Sequence, residues 1–158
     1  MLGDRAPEVA DIARLPRVDR ALKESQRLLP ATPFLFIRRA TAGFQLDGHA
    51  LPESSSIILS PLITHRLPAV FEDPLRFRPD RWETLSPTPY QYLPFGAGPR
   101  FCLGQQFASV EIALMAAHLV RHFELALDEG DQLPEPFVDL ALKPKTPMKV
   151  RFLRRNSA

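Results

Sequence analysis

The densest chemical signal in the sequence is Phe95-Gly96-Ala97-Gly98-Pro99-Arg100-Phe101-Cys102-Leu103-Gly104, which surrounds the chain's one cysteine. Glycines on both sides free the backbone for a tight loop and let a flat ligand come close. Cys102 stands just before a stretch of helical pattern, where unpaired N–H groups and the helix dipole favour a thiolate. Arg100 is placed to pair with an anion. A thiolate ligand, flanking aromatics and an arginine together match the needs of a haem: an axial sulfur, apolar cover for the ring and a partner for a propionate.

Other residue types permit other chemistry, and each has a plainer reading. A single cysteine is commonly a small buried hydrophobe. As a nucleophile, Cys102 would make the chain a thiol enzyme, but no base lies nearby in sequence. Glu24 and Arg27, three apart, could form a surface pair worth about 0.3–0.5 kcal/mol. His118 and His122 could share a metal on one helix face, but no carboxylate completes a zinc-protease pattern, and a solvated face is the simpler reading. Gly96 and Gly98 do not continue into a dinucleotide fingerprint, and no phosphate loop is present. Ser54, Ser55 and Ser56 lack the glycine frame of a hydrolase elbow and read as turn.

The elements that must position these groups are set out by the 17 prolines, about twice the usual share. The longest proline-free run, Arg100 to Leu133, carries Phe107, Val110, Leu114, Met115, Val120 and Phe123 at broadly helical spacing and predicts a helix from about Gly104 to Phe123. Between Pro16 and Pro30 the positions of Val18, Ala21, Leu22, Leu28 and Leu29 predict a second helix, with proline suited to its start and its stop. Residues 5–14 predict a short third one. Phe34 to Ala40 and Ser56 to Leu59 read as β-prone runs, with Phe44 to Leu46 and an Asp47-Gly48 turn between them. From Pro61 to Pro99 the expectation is ordered coil with at most one helical turn. Phe137 to Leu142 and Met148 to Leu153 are expected to form a terminal strand pair. The fold class that follows is mainly α with small irregular sheets.

Three segments now combine. Phe95-x-x-Gly98-x-Arg100-x-Cys102-x-Gly104 resembles the haem-binding signature of the cytochrome P450 family of haem-thiolate monooxygenases. Glu24-Ser25-Gln26-Arg27 is similar to the family's Glu-x-x-Arg helix motif, and Phe77-Arg78-Pro79-Asp80-Arg81-Trp82 to its aromatic-x-Pro-x-Arg-aromatic segment. All three stand in the family's order, and Ala108 and Glu111 fit its pattern on the helix after the cysteine. The resemblance implies that Cys102 is the axial ligand of haem b (iron protoporphyrin IX), that Phe95, Gly98 and Gly104 shape the thiolate loop, and that Arg100 holds a propionate. It implies a second propionate partner in Arg38, with Arg39 as its competitor, because Arg38-x-Ala40 before Leu46-x-Gly48 is similar to a family strand. It also implies that Glu24, Arg27 and Arg81 form a structural ion network beneath the haem.

The resemblance runs from about residue 1 to 153 but maps onto the C-terminal part of a longer catalytic domain. The chain is therefore expected to be a fragment of a cytochrome P450 domain, residues 1–158, lacking the distal oxygen-binding helix and holding no catalytic residue beyond the axial ligand. Its parent would insert one oxygen atom of O2 into a small organic substrate, drawing electrons from a ferredoxin, a flavodoxin-like protein or a reductase. Basic residues near the cysteine loop would steer an acidic donor. The rival expectation is a truncated, non-catalytic remnant that binds haem weakly or not at all.

Composition bounds these readings. Hydrophobic residues make up 45% and charged residues 24%, a globular balance that excludes collagenous and wholly disordered classes. One cysteine excludes an internal disulfide and a multi-cysteine zinc cage. A net charge of +2 does not call for nucleic acid. Sixteen of the 20 basic residues are arginine, suited to bidentate pairing with carboxylates, propionates or phosphates. No segment has the ~20 apolar residues of a membrane helix, and Gly3, Asp4 and Arg5 after Met1 do not start a signal peptide. A cytoplasmic location is expected.

Overall fold

Proline placement dictates the first helix. In the computed structural model, which describes residues 5–128 and 132–155, Pro16 occupies the first turn of α1 (Pro16–Leu28), where its missing N–H costs no helical bond. Leu29 closes the helix through its N–H to the Ser25 carbonyl at 2.7 Å, and Pro30 prevents continuation. The fully buried residues of α1 are Glu24 and Arg27 rather than its leucines. The expected short helix before it is a 3-10 turn, Val9–Arg14.

Small sheets follow. β1 (Arg38–Arg39) pairs antiparallel with β4 (Ser56–Ile57). Bonds from Leu35 N–H to the Leu59 carbonyl and from Ala40 N–H to the Ser55 carbonyl extend this pairing along the two β-prone runs. β2 (Gln45–Leu46) and β3 (His49–Ala50) form the hairpin between them. Its two turn residues, Asp47 and Gly48, both have positive φ, 50° and 75°, as a primed turn requires.

The proline-punctuated stretch is ordered coil, but it holds more than the one helical turn expected of it. α2 (Pro61–Thr64) is capped by Ser60, whose hydroxyl accepts from Ile63 N–H and donates to the Pro33 carbonyl. Two 3-10 turns follow, Pro79–Glu83 and Gly98–Arg100. Each opens on or near a proline, whose fixed φ favours a tight turn as much as it forbids a long helix.

α3 (Gln105–His122) occupies the predicted interval and packs on α1 and the Val9–Arg14 turn. Its buried residues are Ala113 and Ala117, small enough for close approach, whereas Phe107 and Met115 are 74% and 58% exposed. The expected terminal strand pair is corrected by the structure. Phe137 and its neighbours in β6 (Pro136–Val138) turn back onto β7 (Leu142–Pro144), and β8 (Arg151–Arg154) pairs with β5 (Phe123–Ala126), a strand that directly continues α3. Pro144 ends β7 and Pro147 lies between β7 and β8, and proline donates no ladder bond. The expected 1–158 unit and the residues after Met1 extend beyond the described residues at both ends.

The core is small and mixed. Phe71 and Leu93 share it with Glu24, Arg27 and His65, all nearly or fully inaccessible.

Candidate functional site

One carboxylate organises the coil. Glu24 Oε2 accepts from Arg27 Nε at 2.9 Å and from Trp82 Nε1 at 3.0 Å. Its Oε1 accepts from Arg27 Nη2 and the Arg78 backbone N–H, both at 2.9 Å, and from Arg81 Nε at 3.1 Å. Five donors therefore converge on two oxygens. Burial pushes the Glu24 pKa up, but the bonds from Arg27, Arg78 and Trp82 outweigh it and hold the group below the usual carboxylate range.

Arg27 uses its remaining donors on the coil itself. Nη1 reaches the carbonyls of His65 at 2.8 Å and Pro74 at 2.7 Å, and Nη2 that of Arg76 at 3.1 Å. Its guanidinium also lies 5.3 Å from the centre of the Phe71 ring. Arg81 bonds the Glu72 carbonyl at 2.6 Å. An irregular backbone has few internal partners for its carbonyls, and here two arginines supply them. The predicted grouping of Glu24, Arg27 and Arg81 is present as direct bonds. His65, Trp82 and Tyr92 also belong to it and had no sequence signal beyond the aromatic position of Trp82. The rings of Trp82 and Tyr92 are centred 4.6 Å apart, and the Tyr92 hydroxyl bonds the Lys23 carbonyl at 3.1 Å and the Gln26 side chain at 3.2 Å. Burial pushes the Tyr92 phenol well above its ordinary pKa.

The cysteine loop sits at the end of this coil. Cys102 N–H donates to the Phe95 carbonyl at 2.9 Å, which closes the loop. Gly96 and Gly98 take φ of 78° and 70°, the left-handed region that glycine enters without penalty. The Cys102 thiol is exposed. A Cβ at Gly104 would lie 3.7 Å from its sulfur, so glycine there keeps the space beside Sγ open. Gln105 N–H bonds the Cys102 carbonyl at 3.2 Å as α3 begins.

A Cβ at Gly98 would meet nothing within 4 Å, so any cost of substitution there is backbone strain. Gly98→Ala is expected to destabilise by about 1–2 kcal/mol, and Gly98→Asn, whose side chain tolerates this region, by less. Urea titration of the two variants checks this; equal stability of the two would remove strain as the reason.

Arg100, in the same loop, makes no side-chain hydrogen bond or ion pair among the described residues. Arg38 and Arg39 bond backbone carbonyls of their own segment and the turn after it: Arg38 that of Phe36 at 2.8 Å and Arg39 that of Ser54 at 3.1 Å. Their segment nevertheless reaches the loop, since Leu35 Cδ2 would be 3.9 Å from a Cβ on Gly96. Arg38 is half-buried and Arg39 exposed. A cleft of about 620 Å³ lies between α1, the loop and α3, lined by Leu22, Gln26, Phe95, Phe101 and Ala113 among others. Cys102 is not among the residues that line it.

The residues present fit a haem in kind: an exposed thiol, a glycine leaving room at its sulfur, the half-exposed Phe101 and an arginine without an ion-pair partner among the described residues. The histidine pair does not extend to a metal centre. His118 and His122 rings are centred 4.5 Å apart, and among the described residues no third ligand joins them. No described helix is long and apolar enough to cross a membrane.

The sequence model of a family described as Cytochrome P450 matches residues 1–152. The chain is 38% identical over 123 residues to Cytochrome P450 4c21 of Blattella germanica, covering 76% of this chain and 24% of that protein. It is 37% identical over 148 residues to cyclooctatin synthase of Streptomyces melanosporofaciens, covering 91% and 32%. The solved structure of a retinoic acid-bound cyanobacterial CYP120A1 superposes with a TM-score of 0.88 at 28% identity, over 98% of this chain and 36% of that one. The chain thus spans about a quarter to a third of the length of these relatives.

Proposed function

Since this chain belongs to the cytochrome P450 family, we propose that it is the cysteine-bearing, C-terminal part of a haem-thiolate monooxygenase domain, with Cys102 as the sulfur ligand to haem b. The observation that carries this reading is the exposed thiol in a closed, glycine-shaped loop, two residues from an arginine that makes no side-chain hydrogen bond or ion pair among the described residues. Haem, when bound, supplies the iron at which O2 is activated, and a thiolate ligand favours O–O cleavage.

The chain's own contribution is positional. Cys102 Sγ must be deprotonated to ligate, and the loop holds it through a backbone bond to Phe95 rather than through any side chain. Arg100 offers its guanidinium to a propionate. Arg38, half-buried where Arg39 is exposed, is the strand arginine proposed for the second, with Arg39 as its competitor. Phe101 gives apolar cover. Glu24, Arg27 and Arg81 touch no reacting atom; they fix the coil that delivers the loop. The substrate is a small organic molecule, the electron source a ferredoxin, flavodoxin-like protein or reductase, and the location cytoplasmic.

Haem titration tests the proposal. The reduced carbon-monoxide complex is expected to absorb at the long wavelength diagnostic of thiolate ligation, and Cys102→Ala to abolish that band completely. Haem binding by the wild-type protein without a thiolate band would overturn the assignment of Cys102.

A further inference from the structure

His65 is fully buried 28 residues before the coil reaches Leu93, yet its imidazole bonds that residue directly. Nε2 accepts the Leu93 N–H at 2.9 Å. The next residue is Pro94, which has no N–H, so Leu93 carries the last backbone donor before Phe95. The Leu93 carbonyl in turn accepts Gly96 N–H at 3.0 Å, and the Phe95 carbonyl accepts Cys102 N–H at 2.9 Å. At its other end His65 offers its carbonyl to Arg27 Nη1 at 2.8 Å. We infer that His65 is a positioning residue that transmits the order of the Glu24–Arg27 pair to the Cys102 loop through the Leu93 amide.

Three observations point the same way. Acceptance at Nε2 fixes the neutral tautomer with its proton on Nδ1, and Nδ1 completes no hydrogen bond among the described residues, although the backbone of Arg27 and Gln26 lies near the ring. The bond that the ring accepts from Leu93 is therefore its one side-chain hydrogen bond among the described residues. The ring is also wedged by aromatics, centred 5.1 Å from Tyr92 and 6.4 Å from Phe71. Finally, Leu93 is 7% exposed, so water does not readily replace the imidazole as its partner. The consequence for haem ligation rests on the assignment of Cys102 above; the effect on the loop does not.

The test compares His65→Phe, which keeps a ring but removes the acceptor, with His65→Gln, whose side-chain oxygen reaches the place of Nε2. In the full chain, amide hydrogen exchange at Leu93, Gly96 and Cys102 is expected to rise at least tenfold in the Phe variant, with Ala113 and Ala117 in α3 unchanged, and to return towards wild type in the Gln variant. In the haem-loaded protein the thiolate fraction of the reduced carbon-monoxide spectrum should fall and recover in parallel. Unchanged loop exchange, an equal rise at all amides, or no recovery with Gln would overturn the proposal. Should His65→Phe not fold, the wild type decides: a through-bond NMR coupling between the Leu93 amide and imidazole Nε2 supports the relay, and its absence overturns it. A wild-type spectrum without a thiolate band counts against Cys102 as ligand and leaves the exchange result standing.

Discussion

Glu24→Ala is expected to destabilise the protein by about 3–5 kcal/mol, because it strands charged groups that have no access to water. Arg27 is fully buried, and Arg81 has a side chain only 5% exposed. A domain's total stability is about 5–15 kcal/mol, so this single change removes a large share. The variant that sharpens the prediction is Glu24→Gln. It preserves shape, but one of its two terminal atoms becomes an NH2 that must face at least two of the five donors now bonded to the carboxylate. Gln is therefore expected to be nearly as harmful as Ala. Paired replacement by apolar residues, often neutral at buried ion pairs, should not rescue here, since Arg27 also serves three backbone carbonyls. Urea midpoints of the three variants check this; a loss under about 1 kcal/mol for Gln would show that the convergence of donors does not matter.

Acidification should act through His65. Burial holds its imidazole neutral and pushes the pKa down to about 4, against about 6.5 unfolded. The unfolded chain therefore binds the proton first, and the stability this group contributes is complete above about pH 6.5 and lost as pH falls towards 4. At 1.36 kcal/mol per pH unit the loss is about 3 kcal/mol. His122, lowered by burial, by His118 and by Arg121 and Arg154, acts in the same direction. Glu24, held below its ordinary value, adds a further loss at lower pH, as its folded-state carboxylate takes up a proton. Stability measured from pH 7 to 4 should fall steeply, and His65→Gln should flatten the slope. A flat wild-type profile over that interval would show that the ring is not held neutral by the fold.

Much of this architecture is legible in the sequence because proline, glycine and periodic apolar positions act locally. Pro16 and Pro30 bracket α1, the run without proline after Pro99 becomes α3, and Asp47-Gly48 makes its turn. The errors in the strands have one cause. Phe123–Ala126 leaves α3 as a strand because β8 arrives to pair with it, a partner encoded some thirty residues later and invisible to any local pattern. The candidate site divides in the same way. Cys102, Arg100 and the three ion-network residues are readable from motifs, whereas His65 and Tyr92 are defined by whom they meet: Leu93 in one case, Lys23 and Gln26 in the other. No spacing rule encodes contacts of 28 to 69 residues' separation. Helical amphipathicity also misleads at α1, where the leucines suggest the inward face and the buried side chains are charged.

The three carbonyls gathered by Arg27 also bear on the order in which the chain becomes structured. Residues 65–76 have no strand ladder; besides short-range turn bonds such as Phe71 N–H to the Leu67 carbonyl, their carbonyls are gathered by Arg27 of α1 and by Arg81. Helices of that length form within a microsecond but are marginal alone, so the turn that carries Glu24 and Arg27 and the coil that covers it must consolidate in one cooperative step. Substitutions that weaken α1 on its solvent face will then slow the arrival of a segment they never touch.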